Sequence, residues 1–168
     1  RVVVFLEPIA LYPMRDLHAD KDAAWMCRYP APDQILPYGE VGIHGNGSDL
    51  AIVTFANGNY LSHQALPALT AAGIKTRIVD LRWLSPLPKD ALTEAVKGCK
   101  NILIVDETRH TGGLAEALMA HFHEVSTANL SRLTAEDSFI ATGPAYAATM
   151  PSSDGILQAA LTLTGAKK

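Results

Sequence analysis

The stretch that decides the fold runs from Asn101-Ile-Leu-Ile-Val105, an unbroken apolar run, through Asp106-Glu-Thr-Arg-His-Thr-Gly-Gly113 into residues 114–124. A short apolar run bounded by polar residues is typical of a strand covered on both faces. The helical spacing of apolar residues in 114–124 predicts a helix. Working outward, the same alternation predicts strands over 50–55, 74–81 and 130–133, and helices over 60–72, 89–97 and 152–163.

Strands that alternate with helices indicate right-handed β-α-β units, and hence a largely parallel sheet with helices on both sides. The predicted fold class is α/β: a three-layer α/β/α sandwich with a mostly parallel, mixed sheet of about five strands. One strand is expected to be antiparallel. Residues 40–44 and 49–55 flank Gly45-Asn-Gly-Ser48, and Asn-Gly favours the tight turn of a hairpin.

The first 37 residues have a different character. Val2 to Glu7 is an apolar run that predicts a further buried strand. The segment that follows carries charged residues and five prolines, which predict a long irregular entry segment: Pro8, Pro13, Pro30, Pro32 and Pro37. We expect one domain over 1–168 and, because the chain starts inside an apparent strand without Met, a piece of a longer protein.

Composition excludes several classes of protein. With 48% hydrophobic and 18% charged residues and a mean hydropathy of +0.11, the chain is too apolar for a disordered protein and too polar for a membrane protein. A net charge of −3 disfavours nucleic-acid binding, which needs a basic face. Cys27 and Cys99 form no framework, so free thiols in a reducing, cytoplasmic compartment are expected, with a disulfide between them as the alternative.

Six pieces, in this order, resemble the C-terminal domain of the transketolase family: Val4-Phe-Leu-Glu-Pro8 with Leu11-Tyr12; Pro37-Tyr-Gly-Glu40; Asp49-Leu-Ala-Ile-Val-Thr54; Ala72-Gly-Ile-Lys-Thr-Arg-Ile-Val-Asp-Leu-Arg82; Ser85-Pro-Leu87; and Ile104-Val-Asp-Glu107 with Thr111-Gly-Gly113. Asp-Glu followed by Thr-Gly-Gly is most similar to the β subunit of the decarboxylating component of 2-oxo acid dehydrogenase complexes. Two places depart from the family pattern. Thr54-Phe-Ala-Asn-Gly58 replaces Thr-Tyr-Gly, and Pro86-Leu-Pro88 replaces Pro-Leu-Asp.

The resemblance implies a parent enzyme that uses thiamine diphosphate and a divalent metal to decarboxylate a 2-oxo acid oxidatively, with acyl transfer to lipoyl groups. Branched-chain substrates are slightly preferred over pyruvate or acetoin. The implied role of this domain is assembly, as a homodimer, with the dehydrogenase α part and the lipoyl acyltransferase as partners in the parent. The chain lacks the family's metal-binding Gly-Asp-Gly, so the isolated domain is expected to bind no cofactor and to be inactive.

The candidate site residues gather just past the predicted strand 101–105, where open α/β sheets tend to place their sites: Asp106, Glu107, Arg109, His110, Gly112 and Gly113. One hypothesis is a catalytic acid or base. The other is that these residues anchor the strand-to-helix loop and contact a neighbouring subunit, with both glycines allowing close backbone approach. The family resemblance favours the second hypothesis.

Other polar residues have simpler interpretations. His121 and His123 are two apart on a predicted helix and point in nearly opposite directions, which predicts surface histidines rather than a metal pair. Asn57-Gly-Asn59 opens a helix, whose N-terminus attracts anions. The alternative function is therefore a free-standing α/β module that binds a small anionic ligand at the Asn57 and Asp106 loops; an ordinary helix cap is the competing interpretation.

Overall fold

The computed structural model describes residues 2–166 of a chain that divides into two compact units, Arg1–Ile35 and Leu36–Lys168. The first unit is irregular apart from a 3-10 turn over Ile9–Leu11. Its loop is closed by the carboxylate of Asp22, which accepts hydrogen bonds from the amides of four nearby residues, Leu17, His18, Ala19 and Ala24. Those amides, that of Ala24 foremost, hold the pKa of Asp22 well below its usual range.

The predicted strand over Val2 to Glu7 is wrong in this structure. The backbone over these residues is irregular, and the side chains from Val2 to Leu6 are 95% to 66% exposed. A strand needs neighbouring backbone groups to bond with, and every strand among the described residues lies between Gly42 and Ala135. An apolar run without such a neighbour does not form a strand.

The second unit is a three-layer α/β/α sandwich, as predicted from the sequence. Its strands are β1 (Gly42–His44), β2 (Leu50–Thr54), β3 (Thr76–Asp80), β4 (Asn101–Arg109) and β5 (Asn129–Ala135). The helices are α1 (Asn57–Ala71), α2 (Lys89–Val96), α3 (Leu114–Val125) and α4 (Ser153–Thr164). The strands form one sheet in the order β1-β3-β2-β4-β5, in which β1 alone is antiparallel to its neighbour.

The sheet separates two cores. Successive residues of a strand point to opposite faces, so Ile102 and Ile104 of β4 pack with α2 and α3, whereas Leu103 and Val105 pack with α1 and α4. Phe122 of α3 is the largest of the fully buried side chains. Burial on both faces explains why β2 and β4 are continuous apolar runs rather than alternating ones.

The predicted hairpin between β1 and β2 is wrong. β1 pairs with β3, with Gly42 opposite Asp80, because β2 already has β3 and β4 as parallel neighbours. The connection from β1 therefore passes over the start of β3. A Cβ atom at Gly47 would come within 2.2 Å of the carbonyl carbon of Lys75, so only glycine fits at this crossing.

Several helix and strand ends differ from the predicted ones. α1 begins at Asn57, earlier than the predicted residue 60, and continues as a helix through Pro67. β4 extends four residues beyond the predicted end at residue 105, to Arg109. Ser152 caps α4, since its Oγ accepts from the amide of Gly155 at 3.0 Å. No helix within residues 2–166 has the length and apolar character needed to cross a membrane.

Candidate functional site

The candidate residues lie at the carboxyl edge of the sheet, divided between the end of β4 and the loop to α3. Asp106, Glu107 and Arg109 belong to β4 itself, where the pairing with β5 shifts register between Asp106 and Arg109. His110, Gly112 and Gly113 follow in the loop. The prediction that all of them come after the strand is wrong for the first three, because pairing with β5 continues as far as Ala135.

Asp106 joins the strand to the helix that follows it. The side chain is 1% exposed; its Oδ1 accepts from the amide of Thr108 and its Oδ2 from the amide of Ala115, both at 2.8 Å. The N-cap of α3 is Gly113, which has no side chain, so Asp106 satisfies an amide of the first turn in place of a cap. Both carboxylate oxygens are therefore engaged within the chain.

The two glycines let the loop turn tightly over β4. A Cβ atom at Gly113 would lie 2.4 Å from Thr108 Oγ1 and 2.7 Å from the carbonyl oxygen of Arg109. Gly112 has a φ of +72°, in the region that side chains rarely adopt. The close backbone approach expected at this pair is thus present at Gly113, while Gly112 supplies the turn.

Glu107 points toward the start of α1, on the opposite face of the sheet from Asp106. Its Oε1 accepts from Asn57 Nδ2 at 2.5 Å. Burial raises the pKa of Glu107, and the nearby Asp106 adds to this, whereas the bond from Asn57 opposes it. Ala56, the residue before Asn57, has a φ of 53°, which is a strained conformation for a residue other than glycine.

The outer part of the loop is fastened to the end of β5. Thr111 donates twice to Asp137, from its amide to Oδ1 at 2.8 Å and from its hydroxyl to Oδ2 at 2.5 Å. These bonds, with that of the Thr111 hydroxyl largest, lower the pKa of Asp137. His110 contacts Thr134 and Arg132 on β5. The sequence reasoning missed these partners, although their position at the end of the neighbouring strand was a usable signal.

The geometry disfavours the anion-binding interpretation. The side-chain amide of Asn57, at the N-terminus of α1, already donates to the carboxylate of Glu107, so this donor is not available to an anion. When it is ionised, the carboxylate of Glu107 repels another negative charge near the side chain of Asn57. Asp106 offers no donor, and both of its oxygens accept from backbone amides.

The two histidines of α3 differ in environment. His123 is exposed, as predicted, but His121 is 5% exposed, and its Nε2 lies 3.1 Å from Thr93 Oγ1 of α2. The prediction of a surface residue is wrong for His121 because α2 covers that face of α3. Within residues 2–166, no group of three or more His, Cys, Asp or Glu side chains could hold a metal ion.

The residues at this edge do not fit a metal-bound thiamine diphosphate. A divalent metal on a diphosphate takes free oxygen ligands, whereas both oxygens of Asp106 are used by backbone amides and Glu107 Oε1 is used by Asn57. The hydrogen bonds at this edge hold together the end of β4, the loop that follows it and the N-terminal ends of α1 and α3.

A second polar cluster lies on the other side of β2. The rings of His44 (β1) and His63 (α1) meet edge to face, with centroids 4.8 Å apart. Asp80 Oδ2 lies 4.0 Å from Arg82 Nε, and burial raises the pKa of Asp80. Burial, followed by the nearby His63, lowers the pKa of His44. No motif predicts this cluster, because its members come from β1, α1, the end of β3 and the loop after β3.

The fold and this edge define an α/β domain whose carboxyl-edge polar groups are engaged in joining its elements. The family profile described as "Transketolase, C-terminal domain" matches residues 39–156. The chain belongs to this family.

Curated relatives agree with this assignment, and a solved structure agrees with the fold. The pyruvate dehydrogenase E1 component subunit beta of Porphyra purpurea is 27% identical over 80% of this chain. The 2-oxoisovalerate dehydrogenase subunit beta of Bacillus subtilis is 32% identical over 56% of the chain. A chain of a split-gene transketolase, solved as an inactive beta4 tetramer, superposes with a TM-score of 0.71 at 20% identity over 84% of this chain, which supports the fold.

This chain spans only part of the proteins that it resembles. It covers 39% of the Porphyra protein, 29% of the Bacillus protein and 47% of the split-gene transketolase chain. The similarity to dehydrogenase β subunits is the one that the Asp-Glu and Thr-Gly-Gly residues predict.

Proposed function

We propose that this chain is the assembly domain of a thiamine-diphosphate-dependent 2-oxo acid dehydrogenase of the branched-chain, pyruvate or acetoin type. The parent enzyme decarboxylates its substrate oxidatively and transfers the acyl group to lipoyl groups. The domain itself contributes contacts between subunits and no catalytic group. Its similarity to dehydrogenase β subunits supports this proposal.

The observation that carries the proposal is that both carboxylate oxygens of Asp106 are engaged in hydrogen bonds within the chain. A catalytic carboxylate must be free to exchange a proton with a substrate, but Asp106 is 1% exposed and accepts from two backbone amides. Its role in this geometry is to hold the β4–α3 loop in shape. The exposed residues at the end of β4 and in this loop include Arg109, His110 and Gly112.

An apolar surface suitable for a subunit contact lies further along the chain, after β5. Phe139 is 100% exposed, Ile140 60% and Tyr146 53%, and residues 139–150 include no charged side chain. Exposed apolar patches of this kind mark interaction sites. We assign this surface to a second copy of the chain, because an uncharged apolar patch can face its own copy across a two-fold axis without repulsion.

Further partners in the parent would be the dehydrogenase α part and the lipoyl acyltransferase. The relatives named as β subunits support the first of these, since a β subunit implies other subunits. A reducing, cytoplasmic location agrees with two free thiols, Cys27 exposed and Cys99 buried.

Sedimentation equilibrium of the 168-residue chain tests the assembly role. We expect dimers, and we expect Phe139→Ser combined with Ile140→Ser to weaken association by tenfold or more, since a few buried apolar residues carry most of an interface's energy (about 1.4 kcal/mol per factor of ten). Val125→Ser, at another exposed apolar position, is the matched control and should leave association unchanged.

Two outcomes would overturn the proposal. One is a chain that stays monomeric at high micromolar concentration; the other is turnover of a 2-oxo acid by the chain alone. A rise in melting temperature of several degrees with phosphate or a nucleotide would instead favour the anion-binding module.

A further inference from the structure

The sequence contains two Asn-Gly pairs, Asn46-Gly47 and Asn57-Gly58. In such a pair the backbone nitrogen of the glycine can attack the side-chain carbonyl carbon of the asparagine, because glycine has no Cβ atom to hinder the approach. The new C–N bond closes a succinimide ring while the glycine nitrogen loses its proton, the bond to the side-chain nitrogen breaks and ammonia leaves. Water then opens the ring to aspartate, or to isoaspartate, in which the main chain runs through the former side chain.

The fold protects the second pair. Asn57 and Gly58 lie in the first turn of α1, and Asn57 Nδ2 donates to Glu107 Oε1 at 2.5 Å. Gly58 is buried, and a Cβ atom there would lie 2.3 Å from Thr54 Oγ1. Ring closure has to rotate the peptide between Asn57 and Gly58 out of its helical geometry, and these contacts oppose that rotation.

The first pair lacks these restraints. Asn46 is exposed in the connection between β1 and β2. Within the part of the chain that the structure describes, neither the side chain of Asn46 nor the amide of Gly47 has a hydrogen-bond partner. Gly47 is buried, but it is held at its α-carbon, against Lys75, and at its carbonyl oxygen, which lies 3.7 Å from Cys99 Sγ. The nitrogen that has to attack is therefore not engaged in a hydrogen bond.

We propose that Asn46 is a site of spontaneous deamidation in the folded protein, whereas Asn57 is preserved by the fold. The product adds a negative charge three residues before Asp49, whose carboxylate pairs with Lys100 at 2.7 Å. Isoaspartate also lengthens the main chain at the crossing over β3, where not even a Cβ atom on Gly47 would fit. The modified protein is therefore less stable than the original one. This inference is independent of the proposed assembly role, because it rests on contacts within one chain.

Mass spectrometry of the 168-residue chain, incubated at mildly alkaline pH, tests the proposal. Cleavage on the amino side of aspartate places Asn46 and Asn57 in different peptides, 33–48 and 49–79, and deamidation exchanges an NH2 group for a hydroxyl, with the corresponding gain in mass. In the folded protein Asn57 should react about tenfold more slowly than Asn46 or slower still, because the start of α1 has to open first and each 1.4 kcal/mol of opening costs about a factor of ten. In guanidinium chloride, which unfolds the chain, the two should react at similar rates.

The decisive variant is Asn46→Gln, whose longer side chain would have to close a larger and less favourable ring. Urea titrations should show a lower midpoint for aged wild-type protein than for fresh protein, whereas Asn46→Gln should keep its midpoint on ageing. Asn129→Gln, at an exposed asparagine followed by leucine, is the matched control and should age as the wild type does.

Two results would refute the proposal. One is an equal rate at Asn46 and Asn57 in the folded protein. The other is a rate at Asn46 that is at least tenfold lower in the folded chain than in guanidinium chloride, since the packing of Gly47 against Lys75 would then hold this peptide as firmly as α1 holds the other.

Discussion

The two halves of β4 differ sharply. Asn101–Asp106 is buried and, as far as Val105, has neighbouring strands on both sides. Exposure rises from Glu107 to Arg109, beyond the point where β2 has ended opposite Val105. One strand therefore supplies the centre of the core and, after a register shift, the edge that faces outward. Residues that stabilise the core and residues that a partner could contact therefore lie only a few positions apart along this strand.

Ile104→Ala tests the buried half and should have the largest effect. Ile104 is fully buried between the sheet and the helices α2 and α3, and removing most of its side chain leaves a cavity. We expect unfolding free energy to fall by about 2–5 kcal/mol in urea titrations. Arg109→Ala, at the exposed end, should change it by less than about 0.5 kcal/mol. Similar losses in the two variants would contradict the division of β4.

Asp106→Asn tests the boundary between the halves. An amide keeps one acceptor oxygen, but its NH2 group would face the amide of Thr108 or of Ala115, leaving a buried donor without a partner. A loss of about 1–3 kcal/mol is expected in the same titration. Glu136→Gln makes the equivalent change at an exposed position and should have no measurable effect. If both variants unfold alike, Asp106 is not the group that holds the loop.

Ala56→Gly tests the neighbouring strand, where β2 gives way to α1. Relief of the strained φ of 53° outweighs the greater freedom that glycine has when unfolded, so a gain of about 1 kcal/mol is expected. Ala68→Gly, in the exposed interior of the same helix, should cost about 1 kcal/mol. Thermal or urea unfolding should therefore show opposite signs for the same exchange just before α1 and within it. Equal signs would exclude strain at Ala56.

Glu107→Gln tests the exposed half and should have the smallest effect. Burial raises the pKa of Glu107 in the folded protein, so the neutral carboxyl favours folding, and this contribution is lost as pH rises through the raised value. Glutamine retains an acceptor for Asn57 but never ionises. The variant should therefore match the wild type near pH 4 and be the more stable protein at pH 7. An advantage that is constant across this range would show that ionisation is not involved.

Much of the fold follows from local pattern. The apolar runs of β2 and β4 and the helical spacing after them predict parallel strands with helices between, because few other arrangements bury both faces of a strand. The partner of β1 could not be predicted in this way, since the pairing depends on which edge of the sheet is free. Val2 to Leu6 shows the same limit, because an apolar run becomes a strand only beside another one.

The site was predictable in position but not in its contacts. Asp106 and Glu107 were found because they follow a buried run, yet their side chains point to opposite faces and bind different elements. The partner of Glu107, Asn57, lies far away in sequence, as does the partner of Thr111, Asp137. Such pairs depend on how separate loops meet at one edge, and residue spacing carries no information about that.

The position of β5 at the end of the sheet has a consequence for handling the protein. A terminal strand offers unpaired backbone groups on which another molecule can extend the sheet, and the seven residues of β5 include one charged side chain, Arg132. Among the residues of β5, that single charge opposes fibril-like stacking of other molecules on this edge of the sheet. A concentrated solution of the protein should therefore stay clear when His110 is changed. Loss of Arg132 should cause aggregation, which would first be seen as turbidity.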